Sequence, residues 1–158
     1  MSRQAVVIGI GNEFRRDDGI GPAVAAQLSG LPGVRVLACA AEPAAILDAW
    51  TGAALAVLVD AAAGGVPGRI RRCGIGDLVD PAPLSSHELN VRQTYELGRA
   101  LGRVPESVVV VAVDVADTGQ GPGLSPAVAA ALPLAVGVVR DVLGDFRQQA
   151  DEAGDQQP

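Results

Sequence analysis

Five aspartates and one histidine stand where a folded chain could bring them together. Asp17 and Asp18 follow an apolar run in "VVIGIGNEFRRDDGIGP". Asp60 follows "LAVLV", Asp114 and Asp117 follow "SVVVVAV", and His87, the sole histidine, stands in "SSHELN". A carboxylate after so apolar a run as "LAVLV" is costly unless it is paired, hydrogen-bonded or bound to a cation; the simpler alternative is that Asp60 caps the turn "AAAGG". "SSHE" has the spacing of a capping box, with Ser85 at the N-cap and Glu88 three residues on. His87 then lies in the first helical turn, where the helix dipole favours neutral imidazole, the form that binds metals. A surface histidine with no role is the competing reading. Asp, Asp and His from separate loops make an oxygen and nitrogen set acceptable to Zn, Ni, Mn or Fe, and the spacing does not choose among them.

The first stretch also looks like a dinucleotide-binding turn, and the charges argue against it. Gly9 and Gly11 fit a G-x-G-x-x-G pattern, but Phe14 stands at the third glycine. A pyrophosphate docks at the helix N-terminus, and here Asp17 and Asp18 would repel it.

The elements that would position these residues alternate between strand and helix. Apolar runs at Ala5–Gly11, Val34–Ala40, Leu55–Gly65 and Ser107–Val115 read as strands, the first like one buried on both faces. "GRIRRCGIG" (Gly68–Gly76) reads as an edge strand that could run antiparallel to its neighbour. Helices are expected at "DDGIGPAVAAQLSG", at "EPAAILDAWTGA" with Pro43 in the first turn, and from His87 to Leu101. A last one is expected from Pro126 to Phe146, with Ser125 at its N-cap and a kink at Pro133. "DLVDPAPLSS" and "ADTGQGPG" read as loops. The expected fold is a three-layer α/β/α sandwich with a mostly parallel (mixed) five-stranded central sheet, phosphorylase/hydrolase-like. One domain is expected over 1–146, with a polar, disordered tail at 147–158. In such sheets ligands bind beyond the carboxyl ends of the strands, where the strand order reverses.

Composition narrows the partners. The chain has 158 residues and a formal charge of −6, with arginine as its only strongly basic residue type. That disfavours nucleic acid, which needs a basic face, and an anionic membrane surface. Cys39 and Cys73 are far apart and in no C-x-x-C pair, so two inert thiols are expected. No signal peptide opens the chain, and no stretch crosses a membrane without interruption by Pro, Gly or charge. A cytoplasmic enzyme is expected.

With these residues assembled, the chain resembles the [NiFe]-hydrogenase maturation proteases, endopeptidases that trim the C-terminus of the hydrogenase large-subunit precursor. The resemblance rests on "VVIGIGNEFRRDDGIGP", "LAVLVDAAAGGVPG", "SSHELN" and "GLSP", in family order over about residues 4 to 145. The signature G-[IV]-G-N followed by D-[DE]-x-[IVL]-G is far more specific than a glycine loop. The resemblance implies that Asp18, Asp60 and His87 bind nickel and carry the reaction, Asp18 matching the second acidic residue of the first motif and Asp17 being its structural neighbour. It also implies that the nickel belongs to the precursor rather than to the protease, so that the isolated protein binds metal weakly or takes a surrogate cation. The expected partner is the hydrogenase large-subunit precursor, and a monomer is expected. The chain departs from its relatives at Glu42 and Pro43, where a glycine turn is common, and at Val115, where proline is common. Two other readings stay open: a small-molecule hydrolase or phosphorylase, with Arg15 and Arg16 as its basic residues, and a non-catalytic module binding nickel or the large subunit.

Overall fold

The computed structural model describes the backbone of residues 4–75 and 86–155, and the side chains of 4–75 and 91–152. The sequence-predicted loop "DLVDPAPLSS" and the capping residue Ser85 lie outside the described residues, as do the side chains of His87 and Glu88.

Five strands form one sheet: β1 (Ala5–Ile10), β2 (Val34–Cys39), β3 (Leu55–Ala62), β4 (Ile70–Gly74) and β5 (Ser107–Asp114). Their order is β2-β1-β3-β5-β4. β1 pairs in parallel with β2 and β3, and β3 with β5, while β4 runs antiparallel to β5 along one edge. The mixed five-stranded sheet expected from the sequence is therefore the one observed, its antiparallel edge included. β1 and β3, the most continuous apolar runs, are buried along their whole length. β2 and β4, at the edges, are half-exposed.

Side-chain alternation along the strands feeds two separate cores. Val7, Val57 and Val111 pack under α1 (Ile20–Leu28) and α4 (Pro126–Asp155). Ile8, Leu58 and Val110 pack on the opposite face under α2 (Pro43–Trp50) and α3 (Ser86–Leu101). The second core is anchored by Trp50, whose Nε1 donates to the Arg103 carbonyl at 2.8 Å and whose ring meets Tyr95 edge-on at 6.4 Å. Pro43 occupies the start of α2, as its fixed φ favours.

Helix α4 buries Val128, Ala131, Ala135, Val139 and Val142, a stripe at three- and four-residue spacing. Pro133 lies within it. The helix continues to Asp155, so the expected disordered tail from residue 147 is helical as far as that residue. Neither Pro nor Gly falls between Phe146 and Ala153, and Phe146 itself packs on the core. Among the described residues, Pro126–Glu152 is long and apolar enough to cross a membrane, which qualifies the expectation that no such stretch exists. In this fold its apolar stripe is part of the core beneath the sheet.

Gly9 and Gly21 let α1 lie directly on β1. A Cβ on Gly9 would stand 2.2 Å from the Gly21 carbonyl oxygen, and one on Gly21 would stand 2.5 Å from the carbonyls of Ile10 and Val59. The close helix–strand contact that a dinucleotide fingerprint makes with its third glycine is made here by Gly21. Gly9→Ala forces the helix off the strand and should cost about 3 kcal/mol, the upper end of ordinary overpacking. That corresponds to a melting temperature lower by about 6–12 °C; thermal unfolding checks it, and an unchanged midpoint contradicts the packing described.

Candidate functional site

Strand order reverses at β1, which has β2 on one side and β3 on the other. Asp18 and Asp60 flank the crevice at the carboxyl ends of β1 and β3, where ligands of such sheets bind. Asp60 lies inside β3 rather than at its end, since Ala61 and Ala62 still pair with β5. It continues the alternation of Ala56 and Leu58 and so faces the α2/α3 layer. α3, which opens with Ser86 and His87, packs on that same face. The backbone thus places the start of the histidine's helix on the side that Asp60 faces.

The first acidic pair sits differently from expectation. Asp17 and Asp18 occupy a 3-10 turn, Arg16–Gly19, and α1 begins only after it with no acidic residue in its first turn. Successive side chains of a 3-10 turn point about 120° apart, so the two carboxylates have different partners. Asp18 is 4% exposed and Asp60 2% exposed. Asp18 Oδ2 accepts the Asn12 N–H at 2.9 Å, and Asp60 Oδ1 accepts the Ala61 N–H at 2.9 Å. The other oxygens, Asp18 Oδ1 and Asp60 Oδ2, are buried as well.

The glycine motif is shaped around this turn. Gly11 has φ +142°, and a Cβ there would lie 2.0 Å from the Asp18 carbonyl oxygen. "GIGN" therefore seats the acidic turn of its own chain: Gly11 admits the Asp18 backbone and Asn12 holds the Asp18 carboxylate.

Asp17, fully buried, points away from Asp18 into the segment after β5. Its Oδ2 accepts from the amides of Ala116 (3.0 Å) and Asp117 (2.9 Å) and from the Ser125 hydroxyl (2.8 Å). Its Oδ1 accepts from the Ser125 amide at 2.6 Å. Ser125 does precede α4, and its carbonyl accepts from Ala129. Its hydroxyl, expected to cap α4, donates to Asp17. Burial opposes ionisation of Asp17, but the hydrogen bonds from Ser125, Asp117 and Ala116 outweigh it and hold the carboxyl below its usual 3.8. A lowered folded pKa stabilises the fold at pH above 3.8, and that stabilisation is lost as pH falls through the folded value. Urea unfolding from about pH 5 to about pH 2 should show a steeper loss of stability in the wild type than in Asp17→Asn. Equal slopes contradict this role.

Asp114 and Asp117 are held in ion pairs. Asp114 is buried and pairs with Arg71 at 3.0 Å. Arg16, at φ +48°, pairs with Asp117 at 3.3 Å and reaches the Gln120 carbonyl. That ties one of the two arginines a phosphate-binding site would need. Cys39, at the end of β2, faces the same layer as Asp60. Burial, with the charges of Asp60 and Glu42 adding to it, pushes its thiol pKa up, so it stays protonated. Neither Cys39 nor Cys73 forms a disulfide.

Of the three residues implicated by sequence, the structure brings Asp18 and Asp60 to one rim and starts the helix of His87 on the matching face. Among the described residues no three His, Cys, Asp or Glu side chains stand together as a metal site. The residue that sequence reasoning passed over is Phe14, on the Asp18 loop and 66% exposed. Its place at the failed third glycine of the fingerprint was the available signal.

Comparison with known proteins agrees with this architecture. The family profile described as hydrogenase maturation protease matches residues 24–142. A comparison with curated proteins found no match. Among solved structures, the chain is similar to the hydrogenase maturating endopeptidase HybD of E. coli. The two share 20% identity and a TM-score of 0.75, over 92% of this chain and 93% of that one. It is similar also to the [NiFe] hydrogenase maturation protease HybD of Thermococcus kodakarensis (21% identity, TM-score 0.75, 88% and 98% of the two chains). A hydrogenase 2 maturation peptidase from a Thaumarchaeota archaeon shares 25% identity and a TM-score of 0.65 over 90% and 99%. With the profile spanning most of its length, the chain belongs to the hydrogenase maturation protease family and is a peptide-bond hydrolase.

Proposed function

We propose that this protein is the endopeptidase that removes the C-terminal extension of a [NiFe]-hydrogenase large-subunit precursor once nickel has been inserted, and that it recognises the substrate's nickel through Asp18, Asp60 and His87. The observation that carries this reading is the pair of buried carboxylates, Asp18 in the turn that follows β1 and Asp60 near the end of the adjacent parallel strand β3, at the point where strand order reverses. Two buried acidic groups at one rim make a setting that favours a cation. Carboxylate oxygen and imidazole nitrogen are both acceptable nickel donors.

Nickel is cargo of the substrate in this account. Asp18 and Asp60 each have one oxygen fixed by a backbone amide, which sets the direction of the carboxylate. Contact of these groups and of His87 with the precursor's metal would hold the adjoining polypeptide against the rim and bring the scissile bond to the site. Such contact selects nickel-loaded substrate, because a precursor without the ion presents nothing to offset the two acidic groups.

A non-catalytic binding module would share these contacts and differ in outcome. Incubation of the purified protein with nickel-loaded precursor separates the two readings. A shortened large subunit supports the endopeptidase, whereas a stable complex with an uncut precursor favours the binding module.

A further inference from the structure

Phe14 is a large apolar side chain held out in water by a loop that leaves it little freedom. Its N–H donates to Asn12 Oδ1 at 2.9 Å, and its carbonyl accepts from Gly121 at 2.8 Å. The neighbouring Arg15 N–H donates to the Asn12 carbonyl at 3.0 Å, and Arg15 bridges to Gly121. The backbone around the ring is therefore pinned at both ends, while the ring is 66% exposed. Asn12 links it to the site: the same residue holds Phe14 with its side chain and Asp18 with its backbone amide.

The ring stands between two grooves. One, of about 410 Å³, runs past Pro22, Ala23 and Leu124. The other, of about 350 Å³, runs past Gly11, Ala38 and Cys39. Phe14, Glu13 and Pro22 line both. A pinned, exposed aromatic flanked by concave surface is the usual anatomy of an interface anchor, since its ordering entropy is already spent and its apolar area is gained only on contact.

We propose that Phe14 is a specificity-determining residue that packs against an apolar side chain of the large-subunit precursor close to the bond that is cut. The occupant follows from continuity: Asn12 ties the loop carrying the ring to Asp18, so a polypeptide whose metal reaches Asp18 comes next to the loop that holds Phe14. The inference rests on the endopeptidase reading and adds an apolar contact to those made by the metal.

Steady-state processing of nickel-loaded precursor by the wild type, Phe14→Ala, Phe14→Gln and Phe14→Leu tests it. Removing an anchor of uniform binding raises KM and leaves kcat unchanged. Phe14→Ala and Phe14→Gln should each raise KM about tenfold or more, with kcat within about twofold. Phe14→Leu should recover most of the loss, and melting temperatures should match the wild type because the ring is exposed. Phe14→Gln keeps the test open should the alanine variant unfold early. Wild-type KM in both truncated variants, or a fall in kcat at constant KM, overturns the proposal. A wild-type protein that cuts no precursor overturns the endopeptidase reading itself, and this inference with it.

Discussion

Asp60→Asn should yield a folded protein that processes nickel-loaded precursor about a hundredfold to a thousandfold more slowly than the wild type, the scale of removing one preorganised electrostatic group from a site. Asparagine keeps the shape of aspartate and an oxygen for the Ala61 amide that Asp60 Oδ1 now accepts. What it loses is the charge and the anionic oxygen a nickel ion would meet. The fold has little to lose, since the amide keeps the size of the buried Asp60 side chain and its bond to Ala61. Its melting temperature should therefore stay close to that of the wild type while activity collapses. Asp18→Asn should behave alike, retaining the Asn12 contact to one oxygen, and His87→Gln should lose activity as well. Rates are read from the disappearance of precursor, and stability from thermal unfolding of the same samples. Full activity in all three variants removes the basis of the site assignment.

Asp17→Ala, one residue from Asp18, should fail for the opposite reason. The Asp17 carboxylate takes four hydrogen bonds from Ala116, Asp117 and Ser125. Alanine leaves those donors facing a void, and unsatisfied buried donors cost about 1–3 kcal/mol each. Relief of the buried charge offsets part of this, for a net loss on the order of 3 kcal/mol. For a chain of this size that is about 6–12 °C in melting temperature. The loss is also structural in direction. Asp17 joins the acidic turn to the segment after β5 and to the start of α4, where Asp17 N also donates to the Asp117 carbonyl. Releasing it loosens the turn that aims Asp18, so activity should fall with stability. Adjacent aspartates thus give separable signatures: loss of activity at constant stability for Asp18, and loss of both for Asp17. Identical thermal behaviour of the two variants contradicts the division.

Much of this architecture was legible in the sequence because the relevant signals are local. Continuous apolar runs marked β1 and β3 as central, and Pro43 marked the start of α2. Acidic residues in place of a phosphate cradle pointed to a cation, and Asp60 stood out by its apolar setting. What stayed hidden depends on distant pairings. Nothing near Asp17 announces Ser125, 108 residues away, as its partner. Helical spacing does not tell a 3-10 turn from the first turn of α1, although that difference sends Asp17 and Asp18 to different neighbours. The polar composition after Phe146 suggested disorder, yet a helix already anchored on the sheet carries its register onward to Asp155. Phe14 looked like an interruption of a glycine motif, and only the pairing of its loop with Gly121 shows the ring held outward.

The central claim is that this hydrolase cuts one polypeptide and requires that polypeptide's nickel to do so. Intact-mass measurement of the large-subunit precursor, nickel-loaded or nickel-free, before and after incubation with the purified wild-type protein, tests it most directly. The account predicts one new, shorter species with a defined C-terminus in the loaded sample and no change in the nickel-free one. Equal cleavage of both samples, or an unchanged mass in both, contradicts it.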